Sequence, residues 1–330
     1  MKNKTNKSVE IYIDAFIYLS GVGFAEYYTN PAVFKKAFET GRRAVNDMFG
    51  DVMEYMSLPG LTCPPLSYGH LGCIGAKMVY PENSDPNMVK MVDSIEEGIK
   101  WLERDWDFSK SGLFKLYDAY YQKIKEDFPD QKINFSGLGI EGPVTSAVLM
   151  RGQDFYINMY EKPEESKKFL FLMTESIIKY QKFINKINHI AKSDIGICDD
   201  FAGFVAPGMY DEFVIPYWNQ FYKGLNATNS RFLHCEGMSR AHLPYLAKCG
   251  INYFQPSVSP LLTCNMLAED LDIEYDWLLP TFELANMDQS QIENWVYKTE
   301  ATGVKLIRTQ AGRYLLQNHG TEKIYYFLLK

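Results

Sequence analysis

No Cys-x-x-Cys pair occurs among the six cysteines, Cys63, Cys73, Cys198, Cys235, Cys249 and Cys264. A zinc ribbon or a thioredoxin-like redox centre needs that spacing, so neither is encoded. The thiols are scattered, mostly in apolar surroundings, and read as the reduced, buried groups of a cytosolic protein. Long apolar runs are also missing. The run Ile11–Leu19 contains Asp14 and falls well short of the roughly 20 residues that cross a bilayer. The polar, basic start Met1–Glu10 has no apolar core of the kind a signal peptide carries. Positive charge is in deficit, with 34 Lys and Arg against 41 Asp and Glu and a net charge of −7. A nucleic-acid binder needs the opposite balance. Linkers, low-complexity tracts and repeats are absent as well. The expectation is a cytoplasmic protein with no membrane span and no nucleic-acid partner.

What is present is enough apolar chain for a large core. The 330 residues are 46% hydrophobic and 23% charged, a globular balance. Aromatic residues make up 15%. They suit a large core or a wide pocket for a planar ligand, the core being the commoner use. Such a length accommodates one large α/β barrel or two smaller domains.

Helical signals open the chain. Asn30 can cap, Pro31 suits the first helical position, and Val33, Phe34, Ala37, Phe38, Ala44, Val45 and Met48 recur at helical spacing. Ser57–Cys73 is rich in Pro and Gly and reads as a loop. Gly75–Tyr80 is a strand candidate, and Ser94 with Glu97 spells a capping box. In Ile133–Glu141, read as a strand, Gly137, Gly139 and Glu141 share a face. Glycine in a strand often marks close approach by a ligand or by other backbone, and these two leave room beside the Glu141 carboxylate; a simple strand end with Glu141 in solvent is the commoner reading of the segment by itself. Pro163–Ala191 carries the clearest apolar helical stripe. Ile195–Asp200 reads as a strand ending in Asp199 and Asp200. Alternation sends only one of the two acids to a site, and the other can cap the following turn. Further expectations are a helix over Met209–Leu225 kinked at Pro216 and a helix over His242–Cys249 closed by Gly250. A strand over Ile251–Pro256 puts Tyr253 and Gln255 on one face. Ser290 with Glu293 reads as a second capping box, Lys305–Thr309 as a strand, and Glu322–Leu329 as a closing helix. Strands alternating with helices over this length favour a single (β/α)8 barrel of the TIM type, residues 75–330, behind an N-terminal helical layer, residues 1–74.

The chemistry gathers at Arg231–Gly237. As a strand it puts Phe232, His234 and Glu236 on one face and Leu233 and Cys235 on the other. An imidazole and a carboxylate then stand together at the carboxyl end of a strand, where parallel α/β folds keep their sites. A core histidine satisfied by a neighbouring acid is an equal reading of that pair by itself. His70, His189, His242 and His319 lack partners at informative spacing and read as surface or core residues.

Several segments carry a resemblance. Gly142-Pro143-Val144-Thr145 followed by Arg151-Gly152 resembles the GPxT…RG signature of the uroporphyrinogen decarboxylase superfamily. Asp199-Asp200 with Pro207–Phe213 and Pro216-Tyr217 is similar to its DD…SPxxFxEFxxPY stretch, and Leu233–Gly237 to its LHxCG strand. Gly75–Glu82 resembles the GAKVVFPE of its methyltransferase branch. The similarity is clear over Gly75–Gln255 and weaker outside it. It implies a (β/α)8 barrel, a homodimer, and one of two chemistries. Decarboxylases of the family remove acetate carboxyls from a tetrapyrrole without a cofactor. Methyltransferases move a methyl group between a corrinoid protein and a thiol or folate, with a zinc that activates the thiol.

The chain departs from both patterns. The decarboxylase loop RQAGRYLPE near the start is missing, and the similar Thr309–Leu315 sits at the other end of the chain. In the zinc strand His-x-Cys, Glu236 stands where the cysteine belongs, and Cys235 is one residue off. The later family glutamate falls near Ser257 and the last cysteine near Ala311. His234 and Glu236 are thus expected either as two ligands of a non-standard divalent metal or as an acid/base pair with no metal at all. Asp199 and Asp200 join them as catalytic residues. Glu141, Tyr253 and Gln255 are expected to line the mouth, with a methylcobamide as co-substrate. Tetrapyrrole decarboxylation, and a ligand-binding barrel that has lost catalysis, are the alternatives.

Overall fold

The computed structural model describes residues 5–190, 194–318 and 320–329. Residues 1–4 of the polar start, the end of the expected helix at Ala191, and His319 lie outside the described residues. Among the described residues nine strands occur in chain order: β1 Asn6–Ile11, β2 Met56–Ser57, β3 Met78–Val79, β4 Asn87–Met88, β5 Asp194–Cys198, β6 Ser230–His234, β7 Tyr253–Gln255, β8 Glu274–Leu279 and β9 Leu306–Ala311. Helices separate the long ones, as the α/β class requires. The chain forms two compact units, residues 1–61, 82–84 and 255–330 in the first, and residues 62–81 and 85–254 in the second.

In the first unit the parallel order is β2-β1-β9-β8. Val9 and Ile11 of β1 and Ile307, Thr309 and Ala311 of β9 form the buried side. The helices Gln289–Ala301, Arg313–Gln317 and Gly320–Leu328 pack onto these two strands. The opposite side carries Glu10, Arg308 and Gln310. β1 was not expected, since its residues fall inside the stretch read as a helical layer. Only Val9 and Ile11 are apolar there, and the run Ile11–Leu19 hides a boundary. The strand stops at Ile11, Tyr12 is extended, and a helix spans Ile13–Ser20. The helix Pro31–Phe49 follows as read, with Asn30 Oδ1 accepting from the Ala32 N–H at 3.0 Å.

In the second unit β5 and β6 pair in parallel, with Gly196 opposite Phe232 and Cys198 opposite His234; β7 follows β6 in the sheet order. The long helix Pro163–Ile187 buries Phe169, Leu170, Met173, Ile177 and Tyr180. The expected kink at Pro216 is a break: Tyr210–Phe213 and Ile215–Gly224 are separate helices joined at Val214. Proline cannot supply the N–H that would continue the first helix. His70 is a core residue, bonded to Ser176 Oγ at 2.8 Å and ringed by Phe108 and Tyr180. Burial holds its pKa down at about 3. His242 is buried and bonds the Val205 carbonyl and Ser239, while His189 is exposed.

Four expectations are corrected. Gly75–Tyr80 is no barrel strand, because Met78–Val79 pairs only with Asn87–Met88, antiparallel. Ser57–Cys73 ends in a helix, Gly69–Cys73. The last long helix is capped by Asp288 with Gln291 and not by Ser290; each side chain accepts the other's N–H, at 2.9 and 2.8 Å. Among the described residues Ile133–Glu141 forms no strand and makes a single bridge, Leu138 to Leu66. Its glycines face backbone and not a ligand. A Cβ on Gly137 would lie 2.5 Å from the Cys63 carbonyl oxygen, and Gly139 lies against Leu66 and Ser67. Gly137 also has φ +99°, a left-handed value that side chains resist. Gly137→Ala is therefore expected to cost about 2 kcal/mol or more, through strain and clash together. Urea unfolding of the purified variant measures it.

Candidate functional site

Strand parity builds the site in the second unit. On β5, Ile195 and Ile197 are buried while Asp194, Gly196 and Cys198 are accessible. On β6, Leu233 is fully buried and Phe232 and His234 are half-buried. In-register residues of paired strands share a side, so Cys198 and His234 stand next to each other at the carboxyl ends. Gly196 makes room for the Phe232 ring, since a Cβ there would lie 2.8 Å from it. The Tyr253 ring packs on Phe232 with centroids 5.6 Å apart.

Asp199 and Asp200 divide their work. Asp199 is fully buried. It accepts from the Thr145 N–H at 2.7 Å, the Val144 N–H at 3.3 Å and Trp218 Nε1 at 2.7 Å. It thus caps the helix Pro143–Arg151, whose first N–H groups need an acceptor. Burial lifts its pKa to about 6, against the pull of Trp218 and Thr145. Asp199, expected among the catalytic residues, is turned inward as a cap, and the helix it caps lies before it in sequence and not after it. Asp200 faces the site. Its Oδ1 lies 3.4 Å from His234 Nε2 and accepts the Glu236 N–H at 2.9 Å. Asp200 is thus a carboxylate placed against the imidazole, fixed by the backbone N–H of Glu236, whose own carboxylate adds charge beside it.

Glu141 adjoins this pair. It immediately precedes Gly142, whose N–H donates to the Cys198 carbonyl. A Cβ on Gly142 would meet the Asp199 carboxylate at 2.4 Å, so only glycine fits there. Burial pushes the Glu141 carboxyl up to about 8, the Asp200 and Asp199 charges add to this, and a hydrogen bond with Ser67 opposes it. At neutral pH Glu141 is chiefly a neutral acid able to give a proton. Asp200 is also raised, by burial first, while the imidazole and the Glu236 N–H pull it down. Tyr68 belongs here too, because burial and then Glu141, Asp85 and Asp200 raise its hydroxyl. The cluster holds a proton donor, a carboxylate and an imidazole, an arrangement suited to general acid/base chemistry.

Two members were not legible in the sequence. Cys198, not singled out among the scattered thiols, is solvent-accessible and ringed by protein at the mouth, with a pKa pushed up to about 12 by burial and then by Glu141. Its parity with His234 was the available signal. Tyr68 lies in a loop without periodicity and offered none. Gln255 belongs to the first unit, where its amide donates to Asp276 Oδ2 at 2.7 Å.

A zinc centre of the methyltransferase type does not fit these residues. Cys235 is fully buried, donates to the Asp199 carbonyl at 3.2 Å, and is held far above the usual thiol pKa by burial. Among the described residues no three His, Cys, Asp or Glu side chains are grouped to hold a metal. No described helix is long and apolar enough to cross a membrane.

An acid-rich site at the ends of parallel strands in an α/β barrel defines the class. Residues 68–262 match the uroporphyrinogen decarboxylase (URO-D) family, and the chain belongs to it. Among solved structures the chain is similar to a methyltransferase from Methanosarcina mazei. The two are 18% identical with a TM-score of 0.68, over 98% of this chain and 94% of that one. The likeness is one of barrel fold. No curated protein matches the chain.

The raised Glu141 pKa has a signed consequence. The folded state keeps its proton up to about 8, whereas the unfolded chain releases it near 4.5. Stability is therefore lost as pH rises between those values. Glu141→Gln is neutral throughout, so its melting temperature is expected to match the parent's at pH 4.5 and to exceed it by pH 8. Calorimetry across that range checks this. Asp199→Ala strands three donors and is expected to cost about 3 kcal/mol at pH 7 by urea unfolding.

Proposed function

We propose that this URO-D-family chain is a cytoplasmic methyl-transfer enzyme. It works with a methylcorrinoid protein and a thiol or folate acceptor, and uses acid/base residues where the zinc branch uses a metal. The observation that carries this reading is the His234–Asp200 pair, 3.4 Å apart, beside the protonated Glu141. When bound, the corrinoid supplies the methyl group, and its cobalt keeps the electron pair of the broken bond. The protein's residues handle the proton. With a thiol acceptor, His234 takes the S–H proton as the sulfur–methyl bond forms, and Asp200 steadies the imidazolium. Cys198 and Phe232 wall the mouth, and in the reverse direction the His234 imidazolium gives the same proton back to the sulfur. The methyltransferase from Methanosarcina mazei, alike in fold over nearly its whole length, supports this branch of the family.

Tetrapyrrole decarboxylation, the activity in the family's name, is the second reading. It suits the site less well. The charges of Asp200 and Asp199 act on Glu141, and that of Glu236 acts on Asp200. A polycarboxylate would meet like charge there.

The test is methyl transfer from methylcobalamin to a panel of thiols and to tetrahydrofolate, followed by loss of the methylcobalamin spectrum. Activity is expected with the parent. Asp200→Asn is expected to lower kcat about 100-fold with KM nearly unchanged, the size of a general-base contribution. No transfer to any acceptor, with coproporphyrinogen formed from uroporphyrinogen, would establish the second reading. Absence of both would leave a ligand-binding barrel.

A further inference from the structure

The first unit holds a second polar cluster, built on different strands from the site above. Arg308 of β9 is 3% exposed. Its Nε donates to Asp276 Oδ1 of β8 at 3.0 Å, and its Nη1 donates to Glu10 Oε2 of β1 at 3.0 Å. Gln310 Nε2 donates to the same Glu10 oxygen at 3.3 Å. Gln255 Nε2 donates to Asp276 Oδ2 at 2.7 Å. Three adjacent strands thus clamp one guanidinium from two edges. Its third edge, Nη2, is buried and has no hydrogen-bond partner.

That edge is informative because the usual solution is close at hand. An arginine facing a carboxylate commonly makes two parallel bonds, Nε and Nη2 to the two oxygens. Here the second Asp276 oxygen accepts from Gln255, and Nη2 makes no bond to it. A buried charged donor left unmade is costly, and native proteins leave few of them. A rigid fork with one edge held open is how a protein prepares a donor for a ligand. Charge limits the ligand. One guanidinium against the Glu10 and Asp276 carboxylates leaves the cluster at −1, so an anionic ligand would add like charge. A neutral oxygen brings an acceptor without that penalty. Glu10, with 32% of its side chain exposed, marks the side of approach.

We propose that Arg308 Nη2 is the donor of a binding subsite for a neutral oxygen acceptor, a carboxamide or carbonyl, and that Gln255 keeps this donor available by occupying Asp276. The proposal does not depend on the methyl-transfer reading. The test is titration of the isotope-labelled full-length protein with acetamide and, separately, with acetate, following the Arg308 side-chain N–H signals by NMR. Acetamide is expected to shift them saturably and acetate to bind at least about tenfold more weakly. Arg308→Lys keeps the charge but loses the fork, and is expected to abolish the acetamide response. Should that variant fail to fold, Gln255→Leu is the second arm. It frees Asp276 Oδ2 to take Nη2, and is expected to weaken acetamide about tenfold with the melting temperature unchanged or higher. An unresponsive parent, equal binding of acetate, or undiminished acetamide binding in Gln255→Leu would each overturn the assignment. So would a crystal structure showing Nη2 bonded to an ordered water that acetamide does not displace.

Discussion

The buried carboxylate of Asp199 holds the second unit's site together. One side chain accepts from the first turn of the helix Pro143–Arg151 and from the indole of Trp218, which sits in the helix Ile215–Gly224. Its own N–H donates to the His234 carbonyl at 2.9 Å. Two helices and the end of β6 therefore meet at one residue. Positions nearby inherit their geometry from it. Gly142 must be glycine because the carboxylate occupies the space of a Cβ. Glu141, immediately before it, is delivered to the cluster by the same contact. Asp200, immediately after Asp199, is turned the other way, toward His234. Burying a carboxylate costs less here because its acceptor capacity is met by a helix terminus and an indole.

The electrostatics follow from that placement. The carboxylates of Asp199 and Asp200 are close enough for their charges to act on Glu141. Such groups do not all ionise together at neutral pH, and the environment decides which keeps the proton. Asp199 has strong donors and Asp200 has an imidazole and a backbone N–H, so both are favoured as anions. Glu141 has the least help and retains the proton. A site with one acid and one carboxylate-backed imidazole thus arises from unequal hydrogen bonding among similar side chains. Cys198, in the same surroundings, is kept as a thiol.

Parity was legible in the sequence, and tertiary partnership was not. Alternation along Ser230–His234 correctly separates Leu233 from His234, because the buried side of a strand admits no exchange with the open side. It also says that only one of Asp199 and Asp200 can face the site. It does not say which, or that the inward acid caps a helix over 50 residues earlier in the chain, as the Thr145 bond shows. The sequence pairs His234 with Glu236 by proximity along the strand, and the fold brings Asp200 to the same imidazole. The strand stops at His234, so the alternation used for Glu236 no longer governs it. Gly137 and Gly139 advertised a close approach, but a sequence cannot distinguish backbone from ligand as the neighbour. β1 was missed because a short strand with two apolar residues carries little periodic signal beside a long apolar run.

The same parity explains why the sulfur chemistry of the metal branch is not recovered by a near neighbour. Cys235 is one position from where a ligand beside His234 would be needed, and on a strand end one position is half a turn of facing. Its sulfur lies under the Asp199 and Asp200 backbone, donating to a carbonyl in a fully buried site. Gly203 leaves no slack above it, since even a methyl there would overlap the Glu236 carbonyl. Rotating the thiol toward His234 would require the Asp200–Phe204 turn to lift off the end of β6. That movement would also take Asp200 away from the imidazole. The packing that excludes the sulfur is therefore the packing that supplies the carboxylate, and the two chemistries are alternatives at this strand end.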